Sequence, residues 1–301
     1  MHALPPGSLR LVHLSDTHLL RDGGLHQGVV DTAVTLDRVL AEADRIPDVR
    51  LVVGSGDLSE DGTPESYALL RERLDPWAAR RGAAVVLSPG NHDVRSAFRL
   101  VLGDGHGGPG TDDGRDPAAV PPIDGVTTVD GWRIITLDTS VPGKGYGALR
   151  EQQLDGLREL LTTPAERGTV LVLHHPPVPA PTTLHESLAL QGPERLAEIV
   201  RGSDVRVILS GHYHHHIVGS LAGVPVLVAP GVANETDVAA TPGTERVVRG
   251  SGFLVVDVDA AGDVVSVVVR AHAADDGEVV AVLDEELVQR VIAEAGAPVL
   301  P

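Results

Sequence analysis

The 301-residue sequence contains no cysteine. A disulfide framework, a thiolate metal site and a cysteine nucleophile are therefore all excluded. Any bound metal must be held by oxygen and nitrogen atoms of Asp, Glu, Asn, His and water. These donors suit Mn, Fe or Zn better than softer ions.

Basic residues are scarce as well. The sequence has 24 basic and 42 acidic residues, for a net charge of −18, and Lys144 is its only lysine. Nucleic acid binding requires a basic surface, and only two Trp and three Tyr residues are present to stack on bases. We therefore expect no nucleic acid partner. We expect the acidic surface to bind a phosphate-bearing substrate only where a local cation reverses its negative electrostatic potential.

Long apolar runs are missing too. No stretch approaches the roughly 18 residues of a membrane span, and residues 1–16 (MHALPPGSLRLVHLSD) lack a charged segment followed by an apolar one. We expect no membrane span and a cytoplasmic location. Hydrophobic residues still make up 42% of the chain, which is enough for one large α/β domain or two small ones.

Short β-branched segments alternate with amphipathic ones along most of the chain. Strands are predicted at residues 9–14, 49–55, 83–88, 132–138, 169–175, 205–211 and 224–229. Helices are predicted at residues 29–45, 64–82, 150–163 and 192–202. This alternation predicts an α/β fold with largely buried sheets.

The C-terminal part changes character. Residues 252–270 predict a hairpin around the turn DAAGD, followed by a short strand and a last helix from about Asp284. No linker is visible, so we predict a domain over residues 1–270 with a strand-and-helix appendage, residues 271–301, packed on it. The glycine-rich segment 103–117 is expected to be a mobile surface loop, and a lid over a site is the alternative.

Polar residues collect just after the predicted strands, in the sequences SDTH, GDLSEDG, GNHD, HHPP and GHYH. They include Asp16, His18, Asp57, Asn91, His92, Asp93, His174, His175, His212 and His214. Open α/β sheets bind ligands beyond the carboxyl ends of their strands, so we expect these clusters to converge on one crevice. In an extended segment, Asp-x-His and His-x-His also place both side chains on one face.

Seven of these residues carry donors that borderline transition metals prefer, namely Asp16, His18, Asp57, Asn91, His174, His212 and His214. Seven are too many for one ion. They suit two four-ligand sites that share a carboxylate, which would hold the ions roughly 3.5–4 Å apart. Of the other histidines, His13 is expected to be packed within the first strand. Surface positions are expected for His26, His106, His185 and His272.

The five clusters resemble the calcineurin-like metallophosphoesterase family, whose pattern is D-x-H, G-D, G-N-H-D/E, H and G-H-x-H in that order. All five blocks occur in order over residues 16–214. The segments LDTSVPG (137–143) and LHHPPVP (173–179) look like those of bacterial class III cyclic nucleotide phosphodiesterases. The resemblance implies an α/β fold of four layers, in which two mixed β-sheets are flanked by helices.

The resemblance also implies roles for the ligands. The first metal would be held by Asp16, His18, Asp57 and His214, and the second by Asp57, Asn91, His174 and His212, with Asp57 bridging. A hydroxide between the two metals would act as the nucleophile. His92 would protonate the leaving oxygen, Asn91 would also contact the phosphate, and His175 would flank the substrate.

Two points stay open at this stage. The family usually has Asp three residues after the bridging Asp, but here that position is Glu60. Glu60, Asp61 or Asp93 would therefore orient His92. In GHYHHH, the count of ligands excludes His216, so it and His215 are expected at the rim of the site.

The resemblance implies hydrolysis of 3′,5′-cyclic nucleotides, cAMP foremost, to 5′-monophosphates, and suggests a homodimer. One alternative is a broader phosphodiesterase acting on glycerophosphodiesters, 2′,3′-cyclic nucleotides or other diesters. Another is a non-catalytic metal-binding module. A degenerate module would be expected to lose ligands or the general-acid histidine, whereas this chain retains all of them.

Overall fold

The computed structural model describes residues 4–108, 110 and 119–298. Within this range the strands are β1 Leu9–Leu14, β2 Leu51–Ser55, β3 Ala84–Ser88, β4 Gly125–Val129, β5 Trp132–Leu137, β6 Gly147–Ala148, β7 Gly168–Leu173, β8 Leu190–Gln191, β9 Val205–Ser210, β10 Ile217–Leu221, β11 Val224–Val228, β12 Glu235–Thr236, β13 Glu245–Val248, β14 Gly252–Val258, β15 Val264–Arg270 and β16 Val279–Leu283. The α-helices are α1 Thr32–Ala43, α2 Pro64–Arg81, α3 Arg95–Leu102, α4 Glu151–Leu161, α5 Thr183–Ser187, α6 Pro193–Val200 and α7 Glu285–Ala295. Most of the loop predicted at 103–117 lies outside the described residues.

Two mixed sheets form the centre of the molecule. The first has the order β15-β14-β1-β2-β3, in which β1, β2 and β3 are parallel, β14 is antiparallel to β1, and β15 is antiparallel to β14. The second has the order β10-β11-β9-β7-β5-β4, with four parallel strands between two antiparallel edges. The carboxyl ends of the parallel strands therefore lie at one edge of each sheet.

Apolar clusters define four layers. Between the sheets, Leu11 and Val53 of the first sheet share a buried cluster with Trp132 and Val170 of the second. On the outer face of the first sheet, strand residues cluster with buried residues of α1, α2 and α3. On the outer face of the second sheet, they cluster with α4 and α6. The predicted sandwich of two mixed sheets flanked by helices is confirmed.

Local signals explain where the helices begin. The carboxylate of Asp31 accepts a hydrogen bond from the Val34 amide and caps α1. The helix therefore begins at Thr32, three residues after the start of the predicted span 29–45. Thr63 caps α2, which opens with Pro64 and ends at the left-handed Gly82. Val34 of α1 is 52% exposed, because the apolar stripe that faces the sheet runs through Leu36, Val39 and Leu40.

A third, smaller sheet was not predicted. It has the order β12-β13-β16, so the segment 279–283 pairs with residues 245–248, which precede the β14–β15 hairpin. Helix α7 contacts both β16 and α5. No helix in the described part of the chain is long and apolar enough to cross a membrane.

Candidate metal centre

The polar segments that follow β1, β2, β3, β7 and β9 meet at one site. Asp57 Oδ2 lies 3.3 Å from His174 Nε2 and 3.8 Å from His18 Nε2. Asp16 Oδ1 lies 3.4 Å from His214 Nε2. Asn91 Oδ1 lies 3.2 Å from His174 Nε2, and the ring centroid of His212 lies 5.0 Å from that of His174. The structure thus brings all seven predicted ligands together from strands of both large sheets.

The backbone of these ligands is not extended. Five of the seven have positive φ angles, namely Asp16 (55°), His18 (43°), Asp57 (48°), His212 (71°) and His214 (46°). The expectation that strand alternation places each pair on one face is therefore wrong. The segments that follow β1 and β2 are instead held together by hydrogen bonds from the Asp16 amide to the Gly56 carbonyl and from the His18 amide to the Asp57 carbonyl, both 3.0 Å.

Each ligand histidine has one ring nitrogen occupied by another group. The Nδ1 of His174 donates to the Ser55 carbonyl (2.8 Å), that of His18 to Glu60 (2.6 Å) and that of His214 to the Asn234 carbonyl (3.3 Å). In the neutral form of each ring, which metal binding requires, these bonds leave Nε2 as the acceptor. His212 is reversed: its Nε2 donates to the Leu188 carbonyl at 3.0 Å, which leaves Nδ1. Such bonds fix the tautomer and orientation of metal ligands.

This donor set fits cations. Burial lowers the pKa of both His18 and His214 to about 4, so both rings are neutral. Their Nε2 atoms lie only 3.0 Å apart, and with both Nδ1 atoms donating, two lone pairs face each other. No arginine or lysine is among the described residues that line the cleft. A cation between the lone pairs and carboxylates removes this repulsion.

The pKa values of the two predicted carboxylate ligands, Asp16 and Asp57, are shifted in opposite directions. Burial raises the pKa of Asp16. Asp57 is equally buried, but the charges of His174 and His92 outweigh burial and hold its pKa well below the usual value. Asp57, the predicted bridging residue, therefore remains anionic.

Two glycines allow the ligand segments to approach each other. A Cβ added to Gly56 would lie 2.5 Å from His174 Nδ1, and one added to Gly90 would lie 2.2 Å from Asp57 Oδ1. Both distances are too short for a real side chain. The glycines of the GD and GNHD blocks are thus required by the packing of the site.

One of the three candidate acids lies near His92. Glu60 Oε2 is 3.3 Å from His92 Nδ1. Asp61 instead accepts hydrogen bonds from Thr63, and Asp93 is buried, where it accepts bonds from the Leu58, Ser59 and Gly90 amides. The geometry therefore favours Glu60 as the partner of His92.

A cleft of about 260 Å³ opens over the ligands. One wall comes from the region after residue 180: Leu184 and Leu188, Val247 of β13, Leu283 of β16 and Val291 of α7. These apolar residues were not predicted at the site. Their sequence carries no local signal for it, because only the packing of the third sheet and α7 brings them there.

Two histidines expected at the surface belong to this cleft. His26 and His185 are 4% and 7% exposed and line it, so that prediction is wrong. Both lie in irregular or very short elements, where periodicity predicts nothing about burial. His272 is exposed as expected, while His106 is half-buried, with its Nε2 2.9 Å from Thr136 Oγ1.

The remaining predicted histidines lie outside the cleft. His175 is fully buried behind His174, with Nδ1 2.7 Å from Thr139 Oγ1 and Nε2 3.1 Å from the Gly145 carbonyl. Both ring nitrogens are occupied, so the geometry does not support contact with substrate. His216 is half-buried and bonded to the Val228 carbonyl. His13 is buried in β1 with its Nε2 2.8 Å from Ser55 Oγ, as expected of a core residue.

Comparisons with known proteins agree with this geometry. A model of the family described as calcineurin-like phosphoesterase matches residues 9–216. A probable cyclic nucleotide phosphodiesterase of Rhodococcus erythropolis is 42% identical over 240 residues, which cover 78% of this chain and 75% of the relative. A cAMP/cGMP dual specificity phosphodiesterase of Mycobacterium tuberculosis is 38% identical, over 78% of this chain and 71% of the relative.

Solved structures share the fold at low identity. A dimetal phosphatase from Danio rerio superimposes with a TM-score of 0.56 at 13% identity, covering 88% of this chain and 99% of that one. A purple acid phosphatase from yellow lupin gives 0.57 at 15% identity, covering 98% and 58%. The family is one of dinuclear metal centres, and the Asp and His clusters described above are able to hold one. The chain belongs to the calcineurin-like phosphoesterase family.

Proposed function

We propose that the protein hydrolyses 3′,5′-cyclic nucleotides, cAMP foremost, to 5′-monophosphates. The observation that carries this proposal is the convergence of seven donor side chains in a cleft with no described arginine or lysine, beside an exposed histidine, His92. The names of the relatives from Rhodococcus erythropolis and Mycobacterium tuberculosis support the substrate class.

Two cations would be held with Asp57 between them, and Fe, Mn and Zn all accept such ligands. Asp16, His18 and His214 would complete one site, and Asn91, His174 and His212 the other. When bound, such a pair lowers the pKa of water and offsets the charge of the phosphoryl oxygens. The ordered tautomers described above leave Nε2 of His18, His174 and His214, and Nδ1 of His212, for these bonds.

His92 would supply the proton for the leaving 3′ oxygen. Partial desolvation at the wall of the cleft lowers its pKa, but the charges of Asp57 and Glu60 outweigh this and raise it to about 10. The ring is therefore protonated at neutral pH, with Nδ1 toward Glu60 and Nε2 left for the cleft. General acid catalysis requires a protonated group at the leaving atom. Asn91, adjacent in sequence, would hold the phosphate through its amide nitrogen while its oxygen binds metal.

The test compares wild type with His92→Ala in the presence of Mn, Fe or Zn. An alkoxide leaving group needs a proton and p-nitrophenolate does not. We therefore expect the variant to lose roughly 10²- to 10⁴-fold in kcat for cAMP, but much less for bis(p-nitrophenyl) phosphate. Metal content by mass spectrometry should be unchanged, and the exposed His272→Ala should behave as wild type.

Several outcomes would contradict the proposal. No turnover of either substrate with any of the three metals would refute an enzymatic role. Turnover of glycerophosphocholine or 2′,3′-cAMP far above that of 3′,5′-cAMP would favour the broader phosphodiesterase. Loss of metal from His92→Ala would mean that His92 supports the metal centre. A homodimer is part of the proposal and is tested by sedimentation equilibrium.

A further inference from the structure

A single carboxylate oxygen serves three histidines at this site. Glu60 Oε2 lies 2.6 Å from His18 Nδ1, 3.3 Å from His92 Nδ1 and 3.4 Å from His26 Nδ1. His18 and His92 have proposed roles, whereas His26 has none.

His26 is held in place. It is 4% exposed, and its ring centroid lies 4.8 Å from that of His18. Its amide donates to the Val30 carbonyl at 2.9 Å, and its own carbonyl accepts bonds from the Val29 and Val30 amides. The ring lines the cleft. Because Nδ1 is turned toward Glu60, Nε2 is the nitrogen left for the cleft.

A third metal site explains His26 less well. His18, His26 and Glu60 do form a group that could hold an ion. However, His18 already donates its Nδ1 proton to Glu60, and its Nε2 faces Asp57 and His214. Binding an ion with His26 would take His18 away from the proposed centre.

Nε2 of His26 carries a lone pair in a neutral ring and a proton in a charged one. A hydroxyl group both donates and accepts hydrogen bonds, so it can pair with Nε2 in either state. A 3′,5′-cyclic nucleotide carries one hydroxyl, the ribose 2′-hydroxyl, on the carbon next to the leaving 3′ oxygen.

We propose that His26 binds the ribose 2′-hydroxyl of the substrate through Nε2. Its position fits this role: His26 shares the Glu60 oxygen with His92, and the 2′-hydroxyl is next to the oxygen that His92 would protonate. The inference rests on the proposed function and adds a preference for ribonucleotides over 2′-deoxyribonucleotides.

The test is kcat/KM for three substrates: cAMP, 2′-deoxy-cAMP and bis(p-nitrophenyl) phosphate, which has no hydroxyl. Wild type should prefer cAMP to its deoxy analogue by about tenfold, the effect of one hydrogen bond. His26→Ala should lose this preference by losing activity on cAMP alone, with the deoxy analogue and the p-nitrophenyl ester within about twofold of wild type. His26→Gln, which restores an acceptor, should recover part of it.

His185→Ala is the matched control, since His185 is also a buried histidine of the cleft but does not contact Glu60. It should keep the preference for cAMP. The inference is overturned if wild type does not distinguish the two cyclic nucleotides, if His26→Ala lowers activity on all three substrates equally, or if that variant loses metal. If wild type cleaves only the p-nitrophenyl ester, the proposed function itself has failed.

Discussion

Buried aspartates at the carboxyl ends of these strands are neutralised in two different ways. Asp138, which follows β5, receives the Arg95 guanidinium at 2.6 Å and hydrogen bonds from the Ser140 and Ile123 amides. Asp16 and Asp57, which follow β1 and β2, meet histidine rings and backbone amides. All three residues are at most 2% exposed.

The partner of each buried carboxylate distinguishes a structural ion pair from a candidate metal site. A guanidinium is charged at every working pH and occupies its carboxylate permanently. An imidazole can give up its proton and contribute a lone pair instead, so a carboxylate surrounded by imidazoles can bind a mobile cation. A buried carboxylate therefore indicates a metal site when its neighbours are themselves electron-pair donors, and a structural ion pair when they are not.

Replacing each kind of carboxylate by the neutral amide should have different effects on metal affinity and on stability. Asp57→Asn should lose more than about 100-fold in metal affinity, because even indirect supports of metal ligands cost 10- to 100-fold. Its turnover should fall accordingly. Asp138→Asn should keep the metal but lose about 3–5 kcal/mol of unfolding free energy, because Arg95 is left buried without its partner.

Mass spectrometry of the metal content and guanidinium unfolding of the metal-free proteins measure the two effects. In the metal-free state Asp57→Asn should cost less stability than Asp138→Asn, because the histidines around Asp57 can lose their protons when the carboxylate is removed, whereas Arg95 keeps its charge. Equal destabilisation of the metal-free proteins by both substitutions would contradict the distinction.

Removal of metal by a chelator should change the melting temperature only of proteins that retain Asp57. A ligand present at a thousand times its Kd stabilises the folded state by about 4 kcal/mol. A chelator should therefore lower the melting temperature of wild type and of Asp138→Asn, and leave that of Asp57→Asn unchanged. A drop of the same size in Asp57→Asn would show that metal binds elsewhere.

Glu245 extends the comparison to the third sheet. It is 3% exposed, its Oε1 lies 3.9 Å from His185 Nδ1, and burial outweighs a contact with Thr182 and raises its pKa. Neither oxygen accepts a well-formed hydrogen bond from a described residue. Replacing a buried, poorly hydrogen-bonded polar group by an apolar one of similar shape removes a penalty of about 1–3 kcal/mol. Glu245→Met should therefore raise the unfolding free energy by up to this amount.

The control is Glu235→Met on the neighbouring strand β12. Glu235 pairs with Arg270, so its removal should lower stability or leave it unchanged. Thermal unfolding of both variants gives the result, and a destabilised Glu245→Met would mean that this carboxylate is better paired than its geometry indicates.

A buried neutral group, His13, makes the stability of the fold depend on pH. Burial lowers its pKa to about 3 from an ordinary 6.5. Between these values the unfolded chain binds a proton that the folded chain does not, so stability is present above pH 6.5 and is lost as the pH falls toward 3. His13→Gln should flatten the slope of unfolding free energy in metal-free protein by about 1.4 kcal/mol per pH unit. The exposed His272→Gln should keep the wild-type slope.

Periodicity and motif order predicted much of this molecule, and the failures have physical causes. The large sheets, the main helices and the convergence of the seven predicted ligands could be predicted because the strands that lead to the site are apolar and end in polar blocks. The strands β6, β8 and β12 are only two residues long and have no period to detect. His26 and His185 are buried by distant segments, and the left-handed backbone at Asp16 and His18 depends on bonds to residues 56 and 57.

The positive φ angles at five of the predicted ligands restrict which residues this site can accept. Among residues other than glycine, Asn, Asp and His adopt a backbone with positive φ most readily. Their side chains also supply the oxygen and nitrogen donors that bind Mn, Fe or Zn in a chain without cysteine. Backbone shape and metal chemistry therefore admit nearly the same set of residues. Exchanges among Asp, Asn and His at these positions alter the charge of the site without disturbing the chain, whereas Glu, although a metal ligand elsewhere, meets resistance from the backbone as well.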